Sequence, residues 1–251
     1  MKFSIHQEVL LQPISQVIGV VERRQTLPVL ANFLVSAKDG RLSVTGTDME
    51  VELIATVNAD IQTDGEITVP ARKLVDIVRK LPDGSNITAI LEGDKLLISS
   101  GRGRYTLSTL PATEFPATDQ VETLELVKIQ EIELKKLIEK TSFSMANQDV
   151  RYYLNGLLFE FHNGTLTTVA TDGHRLAVCD LNKDIGVAQD RQMIVPRKGV
   201  LELLRMLSDS DDMVELALGK NHIRLVKGSM IFTSKLIDGR FPDYMAVIPK
   251  G

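Results

Sequence analysis

Three blocks of residues recur in the same order in the two halves of this 251-residue chain, and this internal repeat restricts its fold more than any other feature. LANFLVSAKDGRLSVTGTDMEVEL, at 30–53, resembles YLNGLLFEFHNGTLTTVATDGHRLAV, at 153–178, with one insertion. VPARKLVDIVRKL from Val69 matches VPRKGVLELLRML from Val195, and STLPATEFP from Ser108 matches SKLIDGRFP from Ser234. The offset of about 124 residues persists along the chain, which predicts two homologous domains, at 1–120 and 128–251.

Each half also has the same order of predicted elements. An amphipathic helix, at 8–21 or 131–145, precedes alternating β-branched strands that are entered through a glycine turn. A second helix begins just after Pro70 or Pro196, and two further strands close the half. This order predicts the α+β class, with antiparallel sheets on one side of each domain and two helices on the other.

Composition excludes several classes of protein. The single cysteine, Cys179, cannot form an intrachain disulfide framework or a cysteine-rich metal site, which fits a reducing, cytoplasmic setting. The longest apolar runs fall well short of a membrane span, so no membrane partner is expected. A formal net charge of -4 argues against a conventional, strongly basic nucleic-acid binder. Any DNA contact must therefore come from local basic patches.

The segment VATDGHRLAV places Asp172, His174 and Arg175 close together, a grouping that could serve acid/base chemistry. The matching segment of the first half reads TDMEVEL, so the aspartate recurs but the histidine and arginine do not. We therefore interpret the shared Thr-Asp pair as a strand-end turn in which the carboxylate accepts hydrogen bonds from nearby backbone amides. No catalytic residue is predicted, although a hydrolase or transferase centred on Asp172 and His174 remains an alternative.

Two other polar clusters have competing interpretations. The segment SDSDDM, at 208–213, has the carboxylate density of a cation loop, but its counterpart PDGSNI is a plain turn. We expect a solvated loop there, and no metal or cofactor. Arg151, Tyr152 and Tyr153 could stack on bases or line a partner groove, or the tyrosines could simply be buried.

The second helix of each half is rich in cations. Residues 72–80 contain four basic residues and one acidic residue, Asp76. Residues 197–205 contain three basic residues and one acidic residue, Glu202. Net positive charge on the same helix of both repeats favours a DNA-contacting surface over an ordinary solvated face. The residues predicted from charge are Arg72, Lys73, Arg197, Lys198 and Arg205.

The motifs QDVRYYLNG, VATDGHRLAV, VPRKGVLELLRML and FTSKLIDGRFPDY closely resemble the bacterial DNA polymerase III β subunit family, the replicative sliding clamps. The resemblance covers the whole chain and implies tandem clamp domains in a ring, with helices lining a central hole. It implies a DNA sliding clamp, or processivity factor, that encircles duplex DNA and is not an enzyme. Family chains have three such domains, and this chain is expected to carry the first two.

The resemblance also implies site residues and partners. DNA contacts are expected at Arg24 and Gln148. The expected partners are double-stranded DNA without sequence preference, the DNA polymerase III alpha subunit, the clamp loader delta subunit and other proteins with clamp-binding motifs. Self-association into a ring, a homodimer in the full-length family, is also expected. A repeat scaffold that binds proteins without DNA remains an alternative. The peptide pocket for these partners is expected at Arg151, Tyr153, Leu154, Thr171, Gly173, His174, Arg175, Leu176, Pro242 and Val247.

Overall fold

The computed structural model describes residues 1–22, 27–116 and 122–249, and the chain divides into two compact units. Unit 1 is Met1–Asp119 with Gly228–Phe232, and unit 2 is Gln120–Lys227 with Thr233–Gly251. Among the described helices, none has both the length and the apolar character needed to cross a membrane.

Unit 1 contains two antiparallel sheets and two helices that contact each other, which is the predicted α+β arrangement. The sheet orders are β5-β1-β7-β8-β9 and β10-β6-β2-β3-β4. Its elements are β1 (Lys2–His6), α1 (Gln7–Val17), β2 (Asn32–Lys38), β3 (Arg41–Thr47), β4 (Val51–Asn58), β5 (Asp60–Thr63), β6 (Gly65–Pro70), α2 (Ala71–Lys80), β7 (Asn86–Glu92), β8 (Lys95–Ser100), β9 (Gly103–Ser108) and β10 (Leu110–Pro111).

Unit 2 repeats this plan, and its helices contact each other and the sheet of order β14-β13-β12-β15. By the division above, the first residues of β18 belong to unit 1 and its last to unit 2. The elements are β11 (Thr123–Gln130), α3 (Glu131–Thr141), β12 (Gly156–His162), β13 (Thr165–Thr171), β14 (Leu176–Asp180), β15 (Arg191–Pro196), α4 (Arg197–Met206), β16 (Met213–Gly219), β17 (His222–Lys227) and β18 (Met230–Lys235).

The glycine turns predicted in both repeats are confirmed. Asp39-Gly40 joins β2 to β3 with φ of 50° and 72°, and Asn163-Gly164 joins β12 to β13 with φ of 49° and 78°. Two successive positive φ values are typical of the type I′ turn, whose twist matches that of the paired strands. Asp or Asn followed by Gly is the sequence that tolerates this backbone best.

The first helices are shorter than predicted. α1 ends at Val17 and is followed by turns with i to i−3 hydrogen bonds, and α3 ends at Thr141 and continues as a 3₁₀ helix, Ser142–Ser144. These tighter turns satisfy the last carbonyl groups of each helix. The second helices begin directly after Pro70 and Pro196, as predicted.

Residues 208–212 of the carboxylate-rich segment lie in the connection from α4 to β16, which begins at Met213, and most of them are exposed. This confirms the predicted loop. Asp209 accepts a hydrogen bond from Lys135 Nζ at 2.8 Å, which holds the loop against α3.

The sheet of order β14-β13-β12-β15 is covered on both faces. On the helix side, Phe159 and Phe161 are fully buried, and the Thr168 hydroxyl donates to the Leu137 carbonyl of α3 at 3.1 Å. On the other side Leu158 pairs with Val169 and Ile194, and the C-terminal segment packs over them. Burial of both faces explains why β12 is almost continuously apolar instead of alternating.

The first residue of the first helix forms hydrogen bonds at or just beyond the end of the second helix in both units. Gln7 Nε2 donates to the Val78 carbonyl at 2.9 Å. At the equivalent position Glu131 accepts hydrogen bonds from the backbone and hydroxyl of Ser208 and from the ammonium of Lys227. These bonds satisfy polar groups that would otherwise be buried without partners.

Burial by itself raises the pKa of the Glu131 carboxyl, but the hydrogen bonds from Lys227 and Ser208 outweigh it, and the pKa lies below the usual 4.5. Because the pKa of Glu131 is lowered in the folded state, its carboxylate contributes its full stabilisation of the fold at pH values above the ordinary pKa. This stabilisation is lost as the pH falls through the lower, folded-state value.

We expect Glu131→Gln to reduce the free energy of unfolding at neutral pH by about 3 kcal/mol, because Lys227 loses its counter-charge in a partly buried position. Urea unfolding at about pH 7 and below about pH 4 measures this, and the difference between variant and wild type should shrink at the lower pH. Glu133→Gln is the control on the same helix. Its carboxylate lies 3.4 Å from Lys183 Nζ in an exposed pair, so its loss should cost below about 1 kcal/mol. Equal stability of Glu131→Gln and wild type at pH 7 would contradict the assignment.

Candidate functional site

The Thr171-Asp172 pair forms a compact turn between β13 and β14. Asp172 Oδ1 accepts the backbone N–H groups of His174 and Arg175, both at 3.0 Å. The Thr171 hydroxyl donates to the Arg175 carbonyl at 2.7 Å and accepts the Gly173 N–H at 3.1 Å. The predicted role of the aspartate, accepting from nearby backbone amides, is confirmed.

The same turn is present in the first repeat. Asp48 Oδ1 accepts hydrogen bonds from two backbone N–H groups, that of Glu50 at 2.9 Å and that of Val51 at 2.7 Å. The residue after this aspartate has a positive φ in both copies, 76° at Met49 and 85° at Gly173. Such a backbone strains a residue with a Cβ atom, and the second repeat avoids that strain with glycine. The turn is therefore part of the fold, and its side chains differ between the copies.

Both oxygens of the Asp172 carboxylate accept hydrogen bonds, from the turn and from Arg175. Asp172 Oδ2 accepts Arg175 Nε at 3.0 Å, and the backbone hydrogen bonds of His174 and Arg175 hold the pKa of Asp172 below its usual range. Arg175 Nη2 also donates to the Phe143 carbonyl at 2.7 Å. Within the described ranges, the His174 ring has no carboxylate hydrogen-bonded to it. The alternative of an Asp172/His174 catalytic dyad therefore finds no geometric support.

A cavity of about 700 Å³ opens beside this turn, and all ten residues predicted for the pocket line it. Its volume lies in the range of ligand sites. The cavity has an apolar floor, which includes Leu154 and Leu176, and a polar rim with Arg151, His174 and Arg175. Further lining residues, which the sequence did not predict, are Val178, Asp243, Tyr244, Ile248 and Pro249.

Some of these additional residues carried a sequence signal. Val178 lies two residues after Leu176 on β14, so strand alternation places both side chains on one face. Tyr244 and Ile248 carried no such signal. They follow the last strand, and only the folding of the C-terminal segment over the sheet brings them to the pocket.

The end of the pocket near Arg151 is held by a network around Asp149. The Asn155 side chain accepts from the Asp149 N–H at 2.9 Å and donates to its carbonyl at 2.8 Å. Arg151 Nη2 binds the Asp149 carboxylate at 2.8 Å and the Asp172 carbonyl at 3.2 Å. Side-chain and backbone hydrogen bonds from Arg151 lower the pKa of Asp149 to about 2. The rim is thus fixed by ionic bonds at neutral pH.

The two tyrosines beside Arg151 differ in exposure. Tyr152 is 57% exposed and Tyr153 is half-buried, and their rings meet edge to face at 5.7 Å. The interpretation of both as buried tyrosines is wrong for Tyr152. Tyr153 lines the pocket instead.

A second cavity, of about 490 Å³, shares Arg175 and His174 with the first and brings together two predicted DNA contacts, Gln148 and Arg197. Gln148 has a φ of 57°, so its backbone turns sharply there. Arg197 Nη1 donates to the Met145 carbonyl at 3.3 Å. Among the described residues it has no carboxylate partner, so its charge is available to an anion.

The other predicted DNA contacts occupy varied environments. Arg72 Nη2 donates to the Val21 carbonyl at 2.9 Å, as Arg197 does to Met145, and Lys73 is exposed. Lys198 is half-buried, and Arg205 Nη1 is 3.1 Å from a Glu202 carboxylate oxygen, which offsets its charge. Arg24 lies outside the described residues.

Some of the cations of α2 and α4 lie at the start of their helices, where they reduce helix stability. Both helices have two basic residues and no acidic residue in the first turn, namely Arg72 with Lys73 and Arg197 with Lys198. The positive end of the helix dipole disfavours cations there and favours anions. In contrast, α3 begins with acidic residues. The basic residues at the starts of α2 and α4 therefore weaken their helices, and an anionic partner would offset that cost.

Comparison with known proteins identifies the family. The DNA polymerase III beta subunit N-terminal domain matches residues 1–119, and the central domain of the same subunit matches residues 128–243. The chain belongs to this family. The beta sliding clamp of Pseudomonas aeruginosa is 53% identical over 252 residues, which are 100% of this chain and 69% of that protein.

Solved structures in the family have the same fold as this chain. The DNA polymerase III subunit beta from P. aeruginosa has a TM-score of 0.97 and 53% identity, covering 100% of this chain and 69% of that one. A Caulobacter crescentus beta sliding clamp, with polyethylene glycol at a proposed beta-motif tethering region, has a TM-score of 0.95 and 40% identity, covering 100% and 68%. The predicted α+β clamp fold is confirmed.

Membership of the family also determines the general function. The chain is a DNA sliding clamp subunit, a processivity factor with DNA and DNA polymerase as its general partners, and not a catalytic enzyme. The hydrolase and repeat-scaffold alternatives are thereby excluded.

We expect Asn155→Ala to free the loop at 147–151, because it removes both hydrogen bonds to Asp149, at a cost of about 1–2 kcal/mol. Hydrogen exchange of the amides in this loop should become faster, while exchange in β12 stays slow. Asn147→Ala, an exposed asparagine in the same loop, is the control and should leave exchange unchanged. Equal exchange in both variants would show that Asn155 does not hold the loop.

Proposed function

We propose that the cavity between the Thr171-Asp172 turn and the C-terminal segment binds short linear peptides of clamp partners. The observation that carries this proposal is the open apolar floor at Leu154 and Leu176, surrounded by fixed polar groups. An exposed apolar groove with an ordered polar rim is the form of site that recognises an extended peptide. The polyethylene glycol in the C. crescentus clamp, at a proposed tethering region, is consistent with such a site in the family.

The partners proposed for this pocket are the DNA polymerase III alpha subunit, the clamp loader delta subunit and other proteins with clamp-binding motifs. We further propose that the chain comprises clamp domains at 1–120 and 128–251, that it forms part of a ring, a homodimer in the full-length family, and that it acts in the cytoplasm. The family matches at 1–119 and 128–243 support the domain limits.

We also propose that the DNA-facing residues are Arg24, Gln148, Arg72, Lys73, Arg197, Lys198 and Arg205. Within the described part of the chain, neither Arg72 nor Arg197 has a carboxylate partner, which supports this surface, since phosphate would then be their natural counter-charge. A ring that encloses DNA needs only weak, salt-sensitive contacts, because release requires opening the ring. A net charge of -4 is compatible with that mode of binding.

Leu176→Ala should weaken binding of a clamp-binding peptide about ten-fold, or about 1.4 kcal/mol, because it removes part of the apolar floor. Pro242→Ala, on the opposite wall, should act in the same direction. Fluorescence anisotropy of a labelled peptide measures the affinity. Leu201→Ala, an exposed leucine on α4, should bind like wild type. Unchanged affinity in both pocket variants would refute the peptide site.

Arg197→Ala should lower the weak affinity for duplex DNA and reduce the slope of log K against log salt by about 1, since one phosphate contact is lost. Arg205→Ala should have a smaller effect because Glu202 already offsets its charge. Titrations at several salt concentrations test this, with the exposed Lys220→Ala as control. An Arg197→Ala slope equal to that of the control would remove Arg197 from the DNA surface.

A further inference from the structure

The segment 238–249, which forms one wall of the pocket, is joined to the rest of unit 2 by very few polar bonds. The last backbone hydrogen bonds before it are Leu236 N–H to the Asn221 carbonyl at 2.8 Å and Ile237 N–H to the Ile194 carbonyl at 2.9 Å. Beyond Ile237, within the described part of the chain, one side-chain hydrogen bond links the segment to the sheet. In that bond the Tyr244 hydroxyl donates to the Glu160 carboxylate.

The acceptor is held in place by the sheet. Glu160 lies on β12 directly opposite Gln192 of β15 and Thr167 of β13. Gln192 Nε2 donates to the other oxygen of the Glu160 carboxylate, and Thr167 donates to Asp180 on the next strand at 2.7 Å. A row of polar residues thus crosses the sheet beside the apolar row that contains Leu158. The bond from Gln192 orients the Glu160 carboxylate independently of the tyrosine.

The pocket residues of this segment differ in how well they are packed. Val247 is 69% exposed, and it lies in the short 3₁₀ helix Tyr244–Val247 that begins with the tyrosine. Phe241 and Tyr244 are buried in the apolar cluster over the sheet. Apolar packing is non-directional, so it restricts the position of the segment along the sheet less strictly than a hydrogen bond does. A hydrogen bond has strict geometry and supplies that position.

We propose that Tyr244 is a positioning residue for peptide binding, in that its bond to Glu160 sets the places of Pro242 and Val247 on the pocket wall. This inference rests on the peptide-binding function proposed above. A wall fixed before the ligand arrives reduces the ordering cost of binding, and loss of the bond raises that cost. Burial, and then the neighbouring Glu160 carboxylate, raise the pKa of the Tyr244 hydroxyl, so it keeps its proton as a donor.

The test uses Tyr244→Phe in the whole chain, because it removes the hydroxyl and keeps the buried ring. The probe is an immobilised peptide from the clamp-binding segment of the DNA polymerase III alpha subunit, with rates measured by surface plasmon resonance. We expect about five- to ten-fold weaker binding, expressed mainly as faster dissociation. Tyr105→Phe makes the same chemical change at a half-buried tyrosine of unit 1 and should bind like wild type.

Variants of the acceptor separate positioning from a general loss of structure. Glu160→Gln keeps an acceptor oxygen and should retain near wild-type dissociation, whereas Glu160→Ala should match Tyr244→Phe. The double variant Tyr244→Phe/Glu160→Ala should be no weaker than either single variant, because both changes break the same bond. Additive losses in the double variant would overturn the proposal.

The remaining outcomes distinguish the two proposals. If wild type does not bind the peptide, the proposed function fails and this inference fails with it. If wild type binds and Tyr244→Phe dissociates at the rate of Tyr105→Phe, only the positioning role is overturned. If Tyr244→Phe proves unfolded by circular dichroism, the comparison of Glu160→Ala with Glu160→Gln decides. Equal dissociation rates in those two variants would then overturn the proposal.

Discussion

The pocket depends on the sheet of order β14-β13-β12-β15 having two apolar faces to bury. The helices α3 and α4 cover one face, where Phe159 and Phe161 are fully enclosed. The other face is covered by an irregular segment that lacks the regular hydrogen bonds of a helix or strand along most of its length. Such a cover leaves part of the sheet open, and the opening at Leu176 is the cavity. Its apolar floor is therefore a continuation of the core.

The polar rim has a different origin, in a turn that both repeats possess. The Thr-Asp pair forms the same hydrogen bonds at Asp48 and Asp172. Its polar side-chain atoms therefore serve to form the turn at the end of the strand. The second repeat adds His174 and Arg175 to that frame, and Arg175 is held by Asp172 and the Phe143 carbonyl. Fixed charged donors around an apolar floor suit recognition of a peptide. They do not supply a nucleophile with a general base.

The charged residues can likewise be divided into those that stabilise the fold and those that are proposed to contact a partner. Some polar groups at the helix ends are paired inside a unit, as Gln7 is with the Val78 carbonyl and Glu131 is with Ser208 and Lys227. At the starts of α2 and α4, by contrast, basic residues occupy positions that the helix dipole disfavours. This placement occurs in both copies and is consistent with the DNA-facing role proposed for these residues. For a DNA sliding clamp, the phosphate backbone is the anion that such residues would meet.

The sequence by itself determined the repeat, the α+β class, the glycine turns and the Thr-Asp turn, because each depends on local backbone preferences or on periodic burial. It also identified, through resemblance, ten residues that line one cavity, although they come from three separate stretches of the chain. The sequence pattern extended the first helices beyond their true ends at Val17 and Thr141, because tight turns of 3₁₀ type replace the last α-helical turns. Only the tertiary structure decided the role of Tyr244. A hydrogen bond to Glu160, 84 residues away, depends on how an irregular segment folds over a sheet, and no local pattern in the sequence encodes that contact.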